Sequence, residues 1–168
     1  VQKLGPLEIK MIAPSHGLVW RSNLNWVLDR YVKWSTSENE EGVVIVYGSM
    51  YGNTALMADI IARGVSEAGV KNIKIYDVAK TEVSHIISDI WKYKGAIIGA
   101  CAHYGSVFPN MTLLLHELTE FKPKNKIYGV FGGMSWGGGG VKYINNVMEK
   151  NQWECPVESI EVKGAPYR

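Results

Sequence analysis

From Gly42 onward, short continuous runs of apolar residues alternate with segments in which apolar residues recur every three or four positions. The continuous runs predict five strands, since such runs are typical of parallel strands covered on both faces. The strands are predicted at about 43–48, 73–77, 95–100, 127–131 and 157–162. The helically spaced segments predict four helices. They are predicted at about 53–69, at 82–92, from Pro109 onward and at 140–151.

Each predicted helix has one apolar face, which we expect to pack against the sheet. The residues expected on these faces in the first and third of the helices are Met57, Ile60, Ile61, Val65 and Ala68, and Met111, Leu114, Leu115 and Leu118. Gly69 provides a stop signal for the first helix. Repeated strand–helix units with right-handed crossovers form one doubly wound parallel sheet with helices on both sides. The sequence therefore predicts an α/β fold.

The segment before Gly42 has a different character. A helix is predicted at about 23–34, with Ser22 as its N-cap and Leu24, Val27, Leu28 and Tyr31 on one face. Residues 35–41 are polar and acidic, which is typical of a linker. We therefore divide the chain into residues 1–41 and residues 42–168.

Composition narrows the function classes. The 168 residues are 46% hydrophobic, which suits a globular domain with a real core, and the net charge of +2 with scattered Lys and Arg gives no footprint for nucleic acid. No apolar stretch approaches the roughly 20 residues needed to cross a membrane, and no signal-peptide pattern is present. Cys101 and Cys155 are not spaced as a motif, so two buried, reduced thiols in a cytoplasmic protein are expected.

Residues 47–54, Tyr-Gly-Ser-Met-Tyr-Gly-Asn-Thr, connect the first strand to the first helix. The amides of a helix's first turn and the helix dipole favour an anion there, and Ser49, Asn53 and Thr54 add side-chain donors. The turn contains no Lys or Arg, and it lacks both the Gly-Lys-Ser/Thr ending of a Walker A loop and the G-x-G-x-x-G fingerprint. It therefore predicts a site for one phosphate monoester, held by neutral donors.

Two further loops should lie at the same edge, because the carboxyl ends of parallel strands form the ligand crevice. Residues 101–108 carry aromatic side chains, and residues 132–140 place Trp136 among six glycines. A planar heteroaromatic ring held between Trp136 and either His103 or Tyr104 would explain both loops. A ligand with one phosphate end and one planar polar ring is flavin mononucleotide (FMN).

The chain resembles the flavodoxin family through residues 48–54 and through the alternating pattern of residues 42–162. Within it, the chain resembles the flavodiiron proteins, or A-type flavoproteins, in two segments. These are 130–139, Val-Phe-Gly-Gly-Met-Ser-Trp-Gly-Gly-Gly, and 12–21, Ile-Ala-Pro-Ser-His-Gly-Leu-Val-Trp-Arg. The second resembles the end of that family's metallo-β-lactamase-like diiron domain, so residues 1–41 are expected to be its tail with a linker.

The resemblance implies a flavodoxin-like five-stranded parallel sheet of order 2-1-3-4-5, with FMN as cofactor. It also implies that a final helix of the family is missing here, leaving part of one sheet face bare. The expected FMN-binding residues are Ser49, Met50, Tyr51, Gly52, Asn53, Thr54, Ala102, His103, Tyr104, Gly105, Ser135, Trp136, Gly137 and Gly138. Residues 100–105 replace the family's Ser-Pro-Thr-Tyr-Asn-Asn, which leaves open whether His103 or Tyr104 covers the flavin.

For the complete protein, the resemblance implies electron transfer from a rubredoxin-like, flavoprotein or deazaflavin donor through FMN to a diiron centre that reduces O₂ to water or NO to N₂O. It implies a head-to-tail homodimer and makes His16 an expected iron ligand; imidazole suits such iron. The other ligands would lie outside these residues, so the chain alone is expected to carry electrons without reducing gases. Two alternatives stay open: a stand-alone NAD(P)H:quinone reductase with this fold, and an interaction module without flavin.

Overall fold

The computed structural model describes residues 7–166, which form two compact units. The first unit ends at Glu38 and the second begins at Asn39. Among the described residues, no helix combines the length and apolar character needed to span a bilayer.

The first unit contains one helix, α1 (Leu24–Thr36), preceded by a segment in which Ile12 pairs antiparallel with Trp20. The predicted N-cap at Ser22 is wrong. Asn23 occupies that position in a left-handed conformation, without a side-chain capping bond. The helix continues two residues past the predicted end, and the hydroxyls of Ser35 and Thr36 donate to the carbonyl of Val32 within its last turn. Of the predicted apolar face, Val27 is buried.

The second unit alternates strands and helices, with one additional short strand. In chain order, its elements are β1 (Glu40–Gly48), α2 (Asn53–Glu67), β2 (Ile73–Asp77), α3 (Val83–Lys92), β3 (Tyr93–His103), β4 (Ser106–Val107), α4 (Pro109–Phe121), β5 (Ile127–Met134), α5 (Gly140–Lys150) and β6 (Ile160–Lys163). All predicted strands and helices of this unit are present.

Five of the strands form a parallel sheet of order β2-β1-β3-β5-β6. This is the predicted order of the five parallel strands and confirms the flavodoxin-like fold. The register aligns the strand centres, with Val46 beside Ile98 and Ile98 beside Val130. The sixth strand, β4, pairs antiparallel with the end of β3 and was not predicted.

The sheet separates two apolar clusters. The larger contains buried residues of α3, α4 and α5, and it includes all four residues predicted for the apolar face of α4. The smaller lies under α2 and includes Ile45 and Phe131. Among the described residues of this unit, α2 is the helix that contributes buried side chains to that side of the sheet, where Ile160 is 54% exposed.

The predicted apolar face of α2 is partly wrong. Ile60 is 49% exposed and Ala68 is also exposed, whereas Ala58 and Ala62 are buried. The reason lies at the start of the helix, where buried Thr54 is set against the end of β5. Residues four and eight positions later share its face, so Ala58 and Ala62 face the sheet as well. The sheet-facing side of α2 therefore combines Ala58 and Ala62 with the predicted Met57 and Ile61.

Candidate cofactor site

The turn between β1 and α2 presents the N-terminus of α2 at the carboxyl edge of the sheet. Gly52 is the N-cap, in a left-handed conformation (φ 88°, ψ −18°) that favours glycine, and it provides no side-chain cap. The backbone N–H of Gly52 donates to Ser49 Oγ at 3.1 Å. The Gly52 amide, which we expected to bind phosphate, is therefore used within the turn. The first-turn amides that follow it have no partner inside the helix.

A cavity of about 60 Å³ opens beside this helix terminus. It holds a few water-sized groups, which matches one phosphate group and is far below the size of a typical small-molecule pocket. Its lining combines all three predicted loops. The lining residues are Ser49, Met50, Tyr51, Asn53, Thr54, Cys101, Ala102, Gly133, Met134, Ser135 and Gly164.

Thr54 is the buried polar residue of this cavity. Its side chain is 1% exposed, and Thr54 Oγ1 lies 3.7 Å from the position that a Cβ on Gly133 would occupy. The end of β5 therefore approaches the first turn of α2 closely. This contact places Thr54 Oγ1 next to Gly133, and both residues line the cavity.

Four lining residues were not predicted: Cys101, Gly133, Met134 and Gly164. Cys101 and Gly133 lie on β3 and β5, which continue past their predicted ends. Gly164 follows β6 and donates its N–H to the carbonyl of Met134 at 2.9 Å. Because all parallel strands end at this edge of the sheet, the position of Gly164 directly after the last strand could have identified it as a site residue.

The two cysteines differ in surroundings. Burial raises the pKa of the Cys101 thiol, which also contacts the backbone of Met50. Cys155 is exposed, so the expectation of two buried thiols is wrong for this residue. The Cys155 thiol donates to the carbonyl of Val157 at 3.1 Å, in a segment before β6. Both cysteines are free.

The second loop is a tight hairpin. Ala102 pairs with Val107 and His103 with Ser106, which leaves Tyr104 and Gly105 as a two-residue turn. Both turn residues have positive φ, 49° and 73°, as a type I′ turn requires. The Tyr104 side chain is 96% exposed, and its ring lies edge-on to that of His103 with centroids 4.4 Å apart.

The third loop packs directly on this hairpin. A Cβ on Gly139 would lie 2.5 Å from the carbonyl oxygen of Gly105, so the two backbones are in contact. Trp136, three residues earlier, is 98% exposed. Nearby, a Cβ on Gly138 would lie 2.7 Å from a carboxylate oxygen of Glu161 on β6. The glycines therefore allow close packing on both sides of the loop, and the indole is left on the surface.

The structure thus divides the expected FMN-binding residues into two groups. Seven of them line the cavity: Ser49, Met50, Tyr51, Asn53, Thr54, Ala102 and Ser135. The other seven are outside its lining: Gly52, His103, Tyr104, Gly105, Trp136, Gly137 and Gly138. The second group belongs to the Gly52 cap and to the two packed loops. Which aromatic ring covers a ligand stays a prediction.

The three loops contain no acidic or basic side chain apart from the imidazole of His103. Residues 49–54, 101–108 and 132–139 contain no Asp, Glu, Lys or Arg. An anion in the cavity would be held by hydroxyl, amide and backbone donors and by the dipole of α2. Such a site can hold a phosphate group, with an aromatic ring lying across the exposed side chains outside it.

A parallel α/β sheet with a neutral anion recess at its carboxyl edge, beside exposed aromatic side chains, defines a nucleotide-binding protein of the flavodoxin-like class. The chain belongs to the flavodoxin family, which residues 45–164 match. FMN is the cofactor of this domain. The residues present fit it, since the recess has the size of the phosphate end and aromatic side chains lie on the adjoining loops.

Relatives that match almost the whole of this chain include flavorubredoxin and flavodiiron proteins, which confirms the resemblance. The chain is 32% identical over 161 residues to the anaerobic nitric oxide reductase flavorubredoxin of Escherichia coli O1:K1 / APEC, covering 95% of this chain and 33% of the relative. It superposes on rubredoxin oxygen:oxidoreductase from Desulfovibrio gigas with a TM-score of 0.87 and 26% identity, over 95% of this chain and 40% of that one.

The flavodiiron protein of Giardia intestinalis has the same fold. The TM-score is 0.87 at 20% identity, over 98% of this chain and 41% of that chain. The present chain thus spans about a third to two fifths of these relatives.

The predicted iron ligand lies outside this site. His16 is exposed in the first unit. Across residues 7–166, no three His, Cys, Asp or Glu side chains come together in a group that could hold a metal ion. The role of His16 stays a prediction.

Proposed function

We propose that this chain is the FMN-carrying electron-transfer part of a flavodiiron protein. It receives electrons from a reduced rubredoxin-like, flavoprotein or deazaflavin donor and passes them to a diiron site that reduces O₂ to water or NO to N₂O. The observation that carries this proposal is the neutral recess built from three loops beside exposed aromatic rings. The relatives' names support the reaction, since one is a nitric oxide reductase and another an oxygen oxidoreductase.

The proposed roles follow the two groups of site residues. Thr54, Ser49 and Asn53, with the first-turn amides of α2, bind the phosphate. Trp136 covers one face of the ring, and His103 or Tyr104 covers the other. Backbone groups near Gly105 and Gly137 contact the ring's polar edge. Bound FMN supplies one- and two-electron redox chemistry, and the protein supplies orientation and electrostatics.

The remaining expectations belong to the complete protein. We propose that residues 1–41 are the tail of a metallo-β-lactamase-like domain and its linker, and that His16 is one of its iron ligands. We also propose a head-to-tail homodimer, in which the FMN of one subunit faces the iron of the other, and a cytoplasmic location. A chain of these 168 residues should then bind FMN without reducing NO or O₂.

The first test is whether the purified chain binds FMN. A yellow preparation that releases FMN on acid treatment supports the proposal, and a protein that neither retains nor takes up FMN refutes it. NAD(P)H-dependent quinone turnover by the isolated chain would favour the reductase alternative. Robust NO or O₂ reduction by this chain with bound iron would contradict the assignment as an electron-transfer part.

A second test concerns Trp136. Stacking of a flat heteroaromatic ring on an aromatic side chain is worth about 1–3 kcal/mol, so Trp136→Ala should weaken FMN binding about 5- to 150-fold. Trp34→Ala removes another partly exposed tryptophan, on α1, and is the matched control. Titration followed by FMN fluorescence measures the affinity of both variants for FMN. Unchanged affinity of the Trp136 variant would refute the proposed stacking.

A further inference from the structure

His103 stands out chemically in the three loops of the candidate site. Residues 49–54, 101–108 and 132–139 contain no Asp, Glu, Lys or Arg, and His103 is their one histidine. Histidine is the side chain type whose charge ordinarily changes between about pH 5 and 8. In a site without fixed charges in its loops, the protonation of one imidazole changes the local potential strongly.

The fold places His103 on the same face of the sheet as Cys101, which lines the cavity. Ile97 packs in the apolar cluster under α2, and side chains alternate along β3, so Cys101 and His103 point to the same side as Ile97. Cys101 lines the phosphate-sized cavity, and His103 is the next residue on that side.

The position of His103 is also fixed by its neighbours. It pairs with Ser106 across the hairpin, and its half-buried ring lies edge-on to the ring of Tyr104 at 73°. The hairpin turn is held in place by the backbone contact between Gly105 and Gly139. The backbone of His103 is therefore held by the hairpin, and its half-buried ring lies against Tyr104.

The other titratable groups near the hairpin come from the first loop, β3, the turn, α5 and β6. They are Tyr51, Cys101, Tyr104, Lys142, Tyr143, Glu161 and the exposed Lys163. Burial raises the pKa of the Cys101 thiol, which favours its neutral form. Lys142 and Glu161 are exposed, so water and salt screen their charges. Among the described residues, none of these groups makes an ion pair or hydrogen bond with His103.

We propose that His103 takes up a proton when the bound flavin is reduced, and that it thereby couples the midpoint potential of FMN to pH. This inference rests on the proposed binding of FMN at this site. It assigns His103 a role in setting the redox potential, in addition to any contact with the ring.

The charge balance gives the reason. Two electrons from the external donor and one proton from solvent leave the bound cofactor one unit more negative. A positive imidazolium nearby is favoured by that charge, so the proton affinity of His103 rises. A second proton then moves from solvent to the imidazole. Reduction takes up two electrons and two protons in all, and oxidation returns them.

The experiment compares midpoint potentials of FMN-loaded wild type and His103→Phe between pH 5.5 and 9. A tenfold change in a two-electron equilibrium corresponds to about 30 mV. One extra proton taken up on reduction therefore makes the midpoint potential fall with pH by up to about 30 mV more per pH unit. The midpoint potential of the wild type should therefore fall more steeply with pH than that of His103→Phe. His116→Phe, on the exposed side of α4, is the control and should retain the wild-type slope.

Equal slopes in the wild type and His103→Phe would overturn the inference while leaving FMN binding intact. Failure of the wild type to bind FMN would refute the proposed function instead. If the phenylalanine variant loses flavin, NMR titration of the wild-type His103 ring in the oxidised and reduced holoprotein decides the question. Its titration midpoint must move to higher pH on reduction, and an unchanged midpoint overturns the inference.

Discussion

Gly139→Ala tests how the two glycine-bearing loops hold each other. The added Cβ would lie 2.5 Å from the Gly105 carbonyl oxygen and 3.0 Å from its carbonyl carbon. Both are backbone atoms of a two-residue turn, so neither can rotate away as a flexible side chain would. The residue also has φ 120°, a conformation that alanine adopts only with strain.

Two effects set the size of the stability loss expected for Gly139→Ala. Backbone strain of this kind costs about 1–3 kcal/mol, and forcing extra volume into a packed contact costs about 1–3 kcal/mol. If the third loop does not move, the two costs add and the free energy of unfolding should fall by about 2–6 kcal/mol. If the loop moves away from the hairpin, part of that cost is relieved. The moved loop then displaces Trp136, and FMN binding weakens instead.

Urea unfolding of the apoprotein and fluorescence titration with FMN measure the two outcomes. Gly137→Ala is the matched control for stability, because no atom lies within 4 Å of its added Cβ. It should change the free energy of unfolding by less than about 0.5 kcal/mol. If Gly139→Ala is as stable as the wild type and binds FMN as tightly, the proposed contact between the loops is wrong.

Three further changes test other parts of the structure. Gly64→Ala, in an exposed part of α2 with open space around the new Cβ, should raise the free energy of unfolding by about 0.5–1 kcal/mol in urea. Thr54→Val keeps the volume but removes the hydroxyl at the cavity; FMN affinity should fall by about 1–3 kcal/mol by fluorescence titration, and unchanged affinity would contradict the phosphate role. Burial lowers the pKa of Lys126 from 10.5 to about 7, so the unfolded chain binds more protons between these values and stability should rise with pH. That rise is at most about 1.4 kcal/mol per pH unit. Urea unfolding at pH 7 and pH 9 should show it in the wild type and not in Lys126→Met.

The parallel sheet and the buried faces of most helices could be predicted because each is a repeated local pattern. The buried residues of α4 are four regularly spaced apolar side chains, and the Pro at its start marks where the helix begins. The turn before α2 was recognisable because its hydroxyl and glycine residues fall between a strand pattern and a helix pattern. These signals lie within a few residues of each other in the sequence.

The hairpin after β3 could not be predicted in the same way. β4 has two residues, too few for a periodic pattern, and its pairing depends on positive φ at Tyr104, a residue type that rarely adopts it. The burial of Ala58 and Ala62 in place of Ile60 likewise depends on how α2 packs against the sheet, which the apolar spacing alone did not indicate. Gly164 reaches the cavity through the order of strands, so its role requires the complete topology.

Separate structural elements therefore carry separate parts of the proposed task. The proposed phosphate recess is made by the first turn of α2 and the ends of β1, β3 and β5, which are tied into the sheet by backbone hydrogen bonds. The aromatic side chains and His103 lie on loops whose packing depends on the contact between Gly139 and Gly105. Changes to the recess should therefore act mainly on cofactor affinity. Changes to the hairpin and the glycine loop should also alter the redox potential, because those loops would contact the part of the cofactor that gains charge.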